Sequence, residues 1–412
     1  MSAVVDRRHL VLGIYLPVVV YEAGIGAVLP VVALSATALG ASIAQAGVVV
    51  ALLAIGQLLG DAPAGALAAR VGDRRAMLLA AGASVLALTA AALASSVLVL
   101  GAALVLLGAV NSVVQLARHS YLTATTPVGR RARVLSTLAG LHRIGLFLGP
   151  FIGAALVHVA GLSAAYWFAV GAASVTALLV LLVPDGVRHE RPTGGPSTLA
   201  VLREHRDVFR TLGLAVLLVG AARGGRVTVL PLWSEHLGLS PATTSVIFGV
   251  SGAVDMLLFY PAGRLMDVRG RLWTAIPSMA VLGVGFAVLP LTTTAAGVAV
   301  AAVVIGLGNG MGSGILMTIG ADVAPSAVRA QFLGLWRLCQ DLGGAGGPLL
   351  VAGGAALGSL AAGIFALAGV CGGSVVALAR WTPRYSVHAN RGTRRRAVAA
   401  GLLDPPPDGS PS

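Results

Sequence analysis

One internal repeat constrains this chain more than any other feature. Residues 63–74 return, with changes, as residues 261–271, a separation of 198 positions. The same separation relates Gly108 to Gly306, Asn111 to Asn309, Pro127 to Pro325, Arg131 to Arg329, and Gly149-Pro150 to Gly347-Pro348. This period is too long for one solenoid unit and long enough for half a protein. The sequence therefore predicts two similar halves.

Composition places both halves in a lipid bilayer. Hydrophobic residues make up 57% of the chain and charged residues 10%, whereas about a quarter of the residues in a soluble domain are charged. A spanning helix needs about 20 mostly apolar residues, and long continuous apolar runs favour helices over barrel strands. We predict twelve spans, at residues 10–33, 43–68, 77–95, 97–121, 135–157, 163–183, 212–234, 242–264, 273–291, 296–321, 330–352 and 358–379.

The predicted fold is thus an all-α membrane protein with two six-helix bundles. Residues 1–183 form the first bundle, residues 184–210 a polar linker and residues 211–382 the second bundle. Within the linker, residues 197–209 have helical spacing and predict a helix on the membrane surface. The basic, proline-containing tail at 383–412 is predicted to be disordered.

Arginine placement predicts the orientation. The chain has no lysine, and its arginines cluster in every second loop. The positive-inside rule places these loops, the linker and both termini in the cytoplasm. Arginines spread over loops between spans argue against a nucleic-acid partner. The use of arginine without lysine, together with many Ala, Gly and Val residues, is typical of a GC-rich bacterial gene. We therefore expect a protein of the bacterial inner membrane. Separately, we expect it to act as a monomer.

No enzyme or cofactor site is predicted. A chain without lysine cannot carry a Walker-type ATPase motif, and Cys339 and Cys371 lie within predicted spans, where they indicate neither a disulfide nor a metal site. Energy must then come from an ion or solute gradient. We favour protons over sodium because no cluster of oxygen ligands suits a hard cation.

Two motifs carry a family resemblance. The pattern Gly263-x-x-x-Asp267-x-x-Gly270-Arg271, repeated in two six-span halves, resembles the major facilitator superfamily over residues 10–380. The resemblance implies transport by alternating access, with these loops as a cytoplasmic gate. The first-half copy departs from the pattern at Ala69 and Asp73, and Asp61, two turns before Ala69, is a candidate to compensate. The implied gate residues are Asp61, Gly65, Arg70, Gly72, Arg74, Gly263, Asp267, Gly270 and Arg271.

A second pattern lies in span 5. Gly145-x-x-x-Gly149-Pro150-x-x-Gly153 resembles most of the antiporter motif of drug/proton exporters, although Ser136 and Ala154 replace two of its glycines. Glycines at this spacing allow close helix contact, and proline removes one backbone hydrogen bond. The arginine of that group's fourth span is absent, because Ala103 or Leu104 stands at the matching place.

Ionisable residues within the spans are the candidates for chemistry. A charge at the bilayer centre costs about 2.5–3.5 kcal/mol, so we expect Glu22, Asp255 and Asp341 to face a cavity or a partner, and we assign proton coupling to them. Positions related by a two-fold repeat can meet across the central cavity, where transporters of this type bind substrate. The predicted cavity residues are Glu22, Asn111, Arg143, Arg223, Arg226, Asp255, Asn309 and Asp341.

The alternative is a purely structural role, in which Glu22–Arg223 and Arg143–Asp341 are fixed ion pairs that hold helices together. The 198-residue separation relates Arg143 to Asp341, and a shifted separation of 201 places Arg223 opposite Glu22. His142, beside Arg143, is a candidate proton relay or a packing residue.

We therefore expect a secondary active transporter, with proton-coupled export of small hydrophobic or amphiphilic compounds as the first hypothesis. Uptake or exchange of an organic anion or sugar-like solute is the alternative, favoured if Arg143, Arg223 and Arg226 all face the cavity. A third possibility is a non-transporting membrane sensor or partner subunit.

Overall fold

The computed structural model describes residues 11–126, 128–181 and 198–401, and within them it contains helices and no strand. Twelve long helices form spans 1 to 12. They are Val11–Ala38, Ile43–Val71, Asp73–Ala92, Val97–Thr125, Val128–Ala160, Ser163–Val180, Arg206–His236, Pro241–Arg269, Leu272–Leu291, Ala295–Val323, Arg329–Ala356 and Leu360–Tyr385. The predicted fold of two six-helix bundles is confirmed.

Eleven of these described helices are long and apolar enough to cross a membrane. Span 11, the helix Arg329–Ala356, is also long enough at 28 residues, but its glycines and its charged Arg329, Arg337 and Asp341 lower its hydropathy. It packs against spans 2, 7 and 12. A helix that is covered by other helices needs less apolar surface than one that faces lipid.

Equivalent residues set the helix ends in the two halves. The hydroxyls of Ser42 and Ser240 accept a hydrogen bond from the backbone three residues later, at the starts of spans 2 and 8. Ser96 and Thr294 do the same for spans 4 and 10. Such caps satisfy amide groups that have no partner within the helix. Each of these pairs is separated by the same 198 residues.

The two bundles have the same internal packing. Span 1 packs against spans 5 and 6, span 2 against span 4, and span 3 against spans 4 and 6, and the corresponding spans 7 to 12 repeat every one of these contacts. The halves meet along two interfaces, spans 2 and 11 on one side and spans 5 and 8 on the other. These interfaces are related by the repeat, and they flank a central space.

Glycines make the helix contacts close. A Cβ atom on Gly149 would lie 2.4 Å from the Ala23 carbonyl oxygen, and one on Gly347 would lie 2.1 Å from the Ala221 carbonyl oxygen. These two contacts are equivalent under the repeat. Gly145 and Gly153 also lie against span 1, and Pro150 stays within the span 5 helix. The antiporter-like motif therefore forms the contact of spans 1 and 5.

The end of the molecule that carries the arginine-free loops is called here the arginine-poor end, and the opposite end the arginine-rich end. At the arginine-poor end the Thr37 hydroxyl donates a hydrogen bond to Glu235 across the two halves, at 3.1 Å. Gly47 lies against Ala352, and Gly249 lies against the ring of Phe151. The halves are thus in contact at this end along both interfaces.

The prediction of a disordered tail is wrong for residues 383–401. Span 12 continues to Tyr385, and a tail helix, Arg391–Ala399, follows with Asn390 as its cap. The carbonyls of His388 and Ala389 accept hydrogen bonds from the backbone of Arg271 and Leu272, at 3.1 and 2.9 Å. The loop between spans 8 and 9 supplies these partners from far along the chain. Residues 402–412 lie outside the described residues.

The described part of the linker contains a helix, as expected for residues 197–209. A linker helix, Thr198–Glu204, packs against span 11 and has buried Val201, and span 7 begins soon after it, at Arg206. Residues 182–197 lie outside the described residues.

Adjacent glycines in span 11 test the close contact of spans 7 and 11. Gly347→Ala places a methyl group against the Ala221 carbonyl, whereas the same change at Gly346 meets nothing within 4 Å. Overpacking a helix contact costs about 1–3 kcal/mol, so we expect Gly347→Ala to lower the thermal unfolding temperature in detergent, and Gly346→Ala to keep it. Equal unfolding temperatures would contradict this packing.

Candidate functional site

A cavity of about 220 Å³ lies between the halves. A water molecule takes about 30 Å³ of liquid volume, so the cavity has room for a small solute. Its polar lining residues are His142, Arg143, Arg226, Asp255 and Asn309, and its apolar ones include Leu29, Leu146, Phe147, Val227, Phe248 and Met256. Spans 1, 5, 7, 8 and 10 supply these residues, so both halves contribute.

Asp255 of span 8 is the centre of the polar cluster. Its carboxylate oxygens lie 3.5 Å from Arg143 Nη1 and 3.8 Å from Arg226 Nη2. The Asn309 side-chain amide donates a hydrogen bond to it at 2.7 Å, and the Ser313 hydroxyl approaches at 3.5 Å. The carboxylate thereby links Arg143 of the first half to spans 7, 8 and 10 of the second.

Two arginines share this one carboxylate. The Arg143 guanidinium lies 4.4 Å from the centre of the Phe259 ring, and that of Arg226 lies 5.9 Å from the Phe248 ring. Aromatic faces attract cations and orient the guanidinium plane. Among the described lining residues Asp255 is the single acid. One positive charge in the cavity is therefore left without a carboxylate.

Glu22 lies behind the cavity wall and is 1% exposed. Its Oε1 is 2.9 Å from His142 Nδ1 and 3.5 Å from Arg118 Nη2. His142 is 33% exposed and lines the cavity, so it connects buried Glu22 to the cavity space. The interpretation of Glu22–Arg223 as a pair is wrong, because nearer partners on spans 4 and 5 satisfy the carboxylate.

Arg223 is held by the backbone. Its guanidinium donates a hydrogen bond to the Gly312 carbonyl, where span 10 is interrupted between Met311 and Ile315 and Gly314 has a φ of +78°. A helix break leaves carbonyl groups without intrahelical partners. Arg223 therefore braces this break and is not one of the residues that line the described cavity.

The interpretation of Arg143–Asp341 as a pair is also wrong. Arg143 lies at the interface of spans 5 and 8, and Asp341 at the interface of spans 2 and 11, because the repeat carries one interface to the other side of the cavity. Asp341 contacts Arg337 Nε at 3.4 Å and lies within electrostatic reach of Asp61. Asn111 does not line the described cavity either, and its buried Oδ1 has no partner.

Four of the eight expected cavity residues thus line it, namely Arg143, Arg226, Asp255 and Asn309. Arg118 was not among the expected site residues. Counted from the start of the apolar run it lies near the end of span 4, but the helix continues to Thr125 and keeps Arg118 inside the bundle, at 5% exposure.

The expected gate residues differ between the halves. Arg271 contacts Asp267 at 3.2 Å and Asp322 at 2.9 Å, and the Ser386 hydroxyl reaches Asp322 at 3.3 Å. All the residues in these contacts belong to the second half. In the first half Arg74 donates a hydrogen bond to the Leu181 carbonyl at 2.8 Å.

The remaining gate residues shape the loops. Gly72 and Gly270 have φ values of +87° and +101°, a conformation that favours glycine. Gly65 is buried in span 2, Gly263 is half-buried in span 8 and Arg70 is exposed. Asp61 differs from the others, because it lies within electrostatic reach of Asp341 in the opposite half.

The fold and the site define a class, a multi-pass membrane transporter with a central cavity between two repeated bundles. The sequence profile of the Major Facilitator Superfamily matches residues 14–348. The chain belongs to this superfamily. The drug/proton antiporter group that the span 5 motif resembles is not confirmed. A comparison with curated protein sequences finds no match.

Solved structures agree in fold. The nucleoside transporter NupG is similar with a TM-score of 0.72 and 13% identity, over 89% of this chain and 98% of that one. A POT family transporter in complex with 5-aminolevulinic acid has a TM-score of 0.70 and 14% identity, over 91% and 96%. The human organic anion transporter MFSD10 (TETRAN) has a TM-score of 0.65 and 17% identity, over 90% and 99%.

The burial of Glu22 makes its arginine partner important for stability. Arg118→Ala leaves a buried carboxylate without its arginine partner, and breaking such a pair costs about 3–5 kcal/mol. We expect a large loss of thermal stability in detergent. Arg206→Ala is the matched control, because Arg206 is 68% exposed and its pair with Asp207 spans 3.8 Å, so its effect should stay near zero. Similar losses for both variants would contradict the Glu22 environment described here.

Proposed function

We propose that the protein is a secondary active transporter that carries a small organic anion together with a proton, by alternating access. The observation that supports this most is the charge of the cavity, where Arg143 and Arg226 share Asp255. We assign the arginine-rich end to the cytoplasm of a bacterial inner membrane. The functional unit in this proposal is the monomer, since one chain encloses the cavity.

Substrate binding follows from the surplus positive charge. An organic carboxylate or phosphate in the cavity replaces Asp255 as the partner of one guanidinium, which binds such groups through two parallel hydrogen bonds. The rings of Phe248 and Phe259 hold the guanidinium groups in place. Leu146, Phe147 and Met256 offer an apolar wall to the rest of the molecule. The preferred substrate is therefore amphiphilic, with one anionic group.

At this site, binding of a proton favours binding of the anion. Protonation of Asp255 removes its negative charge and leaves both arginines to the substrate anion. The proton and the anion then strengthen each other's binding, and this linkage is reciprocal. Cooperative binding favours their movement in the same direction. His142 with buried Glu22 is a second place where a proton can be held at the cavity wall.

The named relatives support this substrate class in a general way. One solved structure holds 5-aminolevulinic acid, and another is named an organic anion transporter. Each name describes that protein only. Both names point to solutes that carry an anionic group, which agrees with the substrate class proposed for this chain.

Proton-driven export of lipophilic compounds is the second candidate. The antiporter-like glycines of span 5 and the apolar part of the cavity wall favour it. In that case the proton and the substrate compete for the site, so binding of one weakens binding of the other. A non-transporting sensor would bind solutes without moving them.

Solute uptake into liposomes tests the proposed substrate class. We expect the purified protein to accumulate amphiphilic organic anions under an imposed pH gradient, and not lipophilic cations of similar size. Arg226→Gln removes one charged hydrogen-bond donor, worth about 1.5–3 kcal/mol, so the apparent KM for the anion should rise about tenfold or more. Arg206→Gln, at the exposed start of span 7, is the control and should leave the KM unchanged.

The opposite selectivity would overturn the proposal in favour of the second candidate. Preference for lipophilic cations, with Arg226→Gln transporting normally, would show that the arginines serve only the fold. Binding of the anion without uptake would support the sensor.

A further inference from the structure

A second cavity lies at the arginine-rich end, between the end of span 12 and the tail helix. It has a volume of about 340 Å³, and its polar lining residues are Arg384, Tyr385, Ser386, Thr393 and Arg396. It is called here the tail pocket. Since a water molecule takes about 30 Å³ of liquid volume, the tail pocket has room for a polar group much larger than water.

The hydroxyl groups of the tail pocket already have protein partners. Ser386 donates a hydrogen bond to Asp322 at 3.3 Å, and Tyr385 donates one to a backbone carbonyl at the start of span 7 at 3.5 Å. Thr393 donates one to the Asn390 carbonyl at 2.8 Å. The two guanidinium groups are therefore the donors that remain for a ligand.

These two guanidinium groups lack a counter-charge. Among the described residues neither Arg384 nor Arg396 has a carboxylate partner, and both side chains are exposed. Arg396 uses its Nε for the Gly392 carbonyl, at 3.4 Å, which leaves its two terminal amino groups. Guanidinium groups bind phosphate through parallel, charge-assisted hydrogen bonds. The tail pocket therefore suits a phosphate group.

The tail helix itself calls for negative charge. It has nine residues, four of which are arginines and none of which is an acid, and its buried residues are Thr393 and Ala397. Helices shorter than about 12–15 residues are marginal in water, and like charges three or four residues apart destabilise a helix further. An anion bound beside the tail helix offsets this repulsion.

A tryptophan places the tail at the depth of the lipid headgroups. The backbone amides of Arg271 and Leu272 donate hydrogen bonds to the tail. The next residue, Trp273, is 50% exposed, and the Arg269 guanidinium lies 5.4 Å from the centre of its ring. Exposed tryptophan rings gather at the boundary between lipid and water. The phosphate groups present at this depth are those of phospholipids.

We propose that the tail pocket binds the phosphate group of an anionic phospholipid from the adjacent leaflet, with Arg384 and Arg396 as its ligands. A zwitterionic lipid fits less well, because its ammonium group adds positive charge to a segment that has six arginines and no acid between Arg380 and Gly401. The site is independent of the transported solute and of the proposed function.

A bound lipid also stabilises the loop between spans 8 and 9. A Cβ atom on Gly270 would lie 2.9 Å from the Ala389 carbonyl oxygen, so loop and tail are in close contact. Ser386 and Arg271 share Asp322 as their partner. The lipid that holds the tail helix in place therefore holds the expected gate residues of the second half as well.

Native mass spectrometry of the full-length protein in detergent tests the site. We expect phosphatidylglycerol to remain bound and phosphatidylcholine to be lost at the same concentration. Each arginine beside an anionic membrane surface contributes about fivefold to binding, so Arg384→Gln/Arg396→Gln should lower the apparent affinity for phosphatidylglycerol about tenfold or more. Arg203→Gln/Arg206→Gln removes the same charge from exposed positions at the same end and is the control.

A spin label on the tail helix gives a second measurement in a bilayer. The label is attached at Ala399→Cys, an exposed position, in a background with Cys339→Ala and Cys371→Ala. In nanodiscs the label should be less mobile with phosphatidylglycerol than with phosphatidylcholine alone. In Arg384→Gln/Arg396→Gln the two lipids should give the same mobility.

Three results would overturn the site. The first is equal affinity for phosphatidylglycerol and phosphatidylcholine. The second is an equal loss of affinity in the control variant, which would mean that the general positive charge of this end attracts the lipid. The third is displacement of phosphatidylglycerol by inorganic phosphate, which would identify a soluble phosphate as the ligand. All of these measurements are made without substrate, so they do not depend on transport.

Discussion

The cost of burying charge in a bilayer determines how this molecule is arranged. An ionised side chain at the bilayer centre costs about 2.5–3.5 kcal/mol, and the spans contain several. Each of the three acids expected within the spans has a counter-charge: Glu22 contacts Arg118 and His142, Asp255 contacts Arg143 and Arg226, and Asp341 contacts Arg337. These contacts fix where the helices meet and where a cavity remains between them.

The repeat supplies one scaffold, and its two copies carry different chemistry. Gly149 against Ala23 and Gly347 against Ala221 show that the backbone contacts are the same in both halves. At equivalent places on the two interfaces, however, Arg143 contacts an acid and an aromatic ring, whereas Asp341 lies within electrostatic reach of another acid, Asp61. A symmetric scaffold can therefore carry different charges at its two interfaces.

Much of the fold follows from the sequence alone. The 198-residue repeat and the apolar runs predict two six-helix bundles, because those features depend only on local hydrophobicity and on the order of the chain. The fold of the tail depends on backbone hydrogen bonds with Arg271 and Leu272, which lie far away in the sequence. The local sequence of the tail gives no indication of such partners. Residues 383–401 were for that reason predicted wrongly.

The sequence predicted which type of residue lines the cavity, but it predicted only some of the individual residues and none of their pairings. Arg143, Arg226, Asp255 and Asn309 line the cavity, because polar residues inside apolar spans must face something other than lipid. The pairing of those residues could not be derived, since two-fold related positions meet only near the symmetry axis. Thr37 and Glu235 do so, whereas Arg143 and Asp341 lie at separate interfaces. Which acid meets which base depends on helix rotation, and the repeat does not determine that rotation.

Proton movement in liposomes that enclose a pH-sensitive dye tests the central claim most directly. The purified protein is given an inward gradient of an amphiphilic organic anion, with no pH gradient imposed at the start. Because proton and anion bind cooperatively at Asp255 in this account, the lumen should become acidic as the anion enters. Alkalinisation of the lumen, or anion entry without any proton movement, would contradict it.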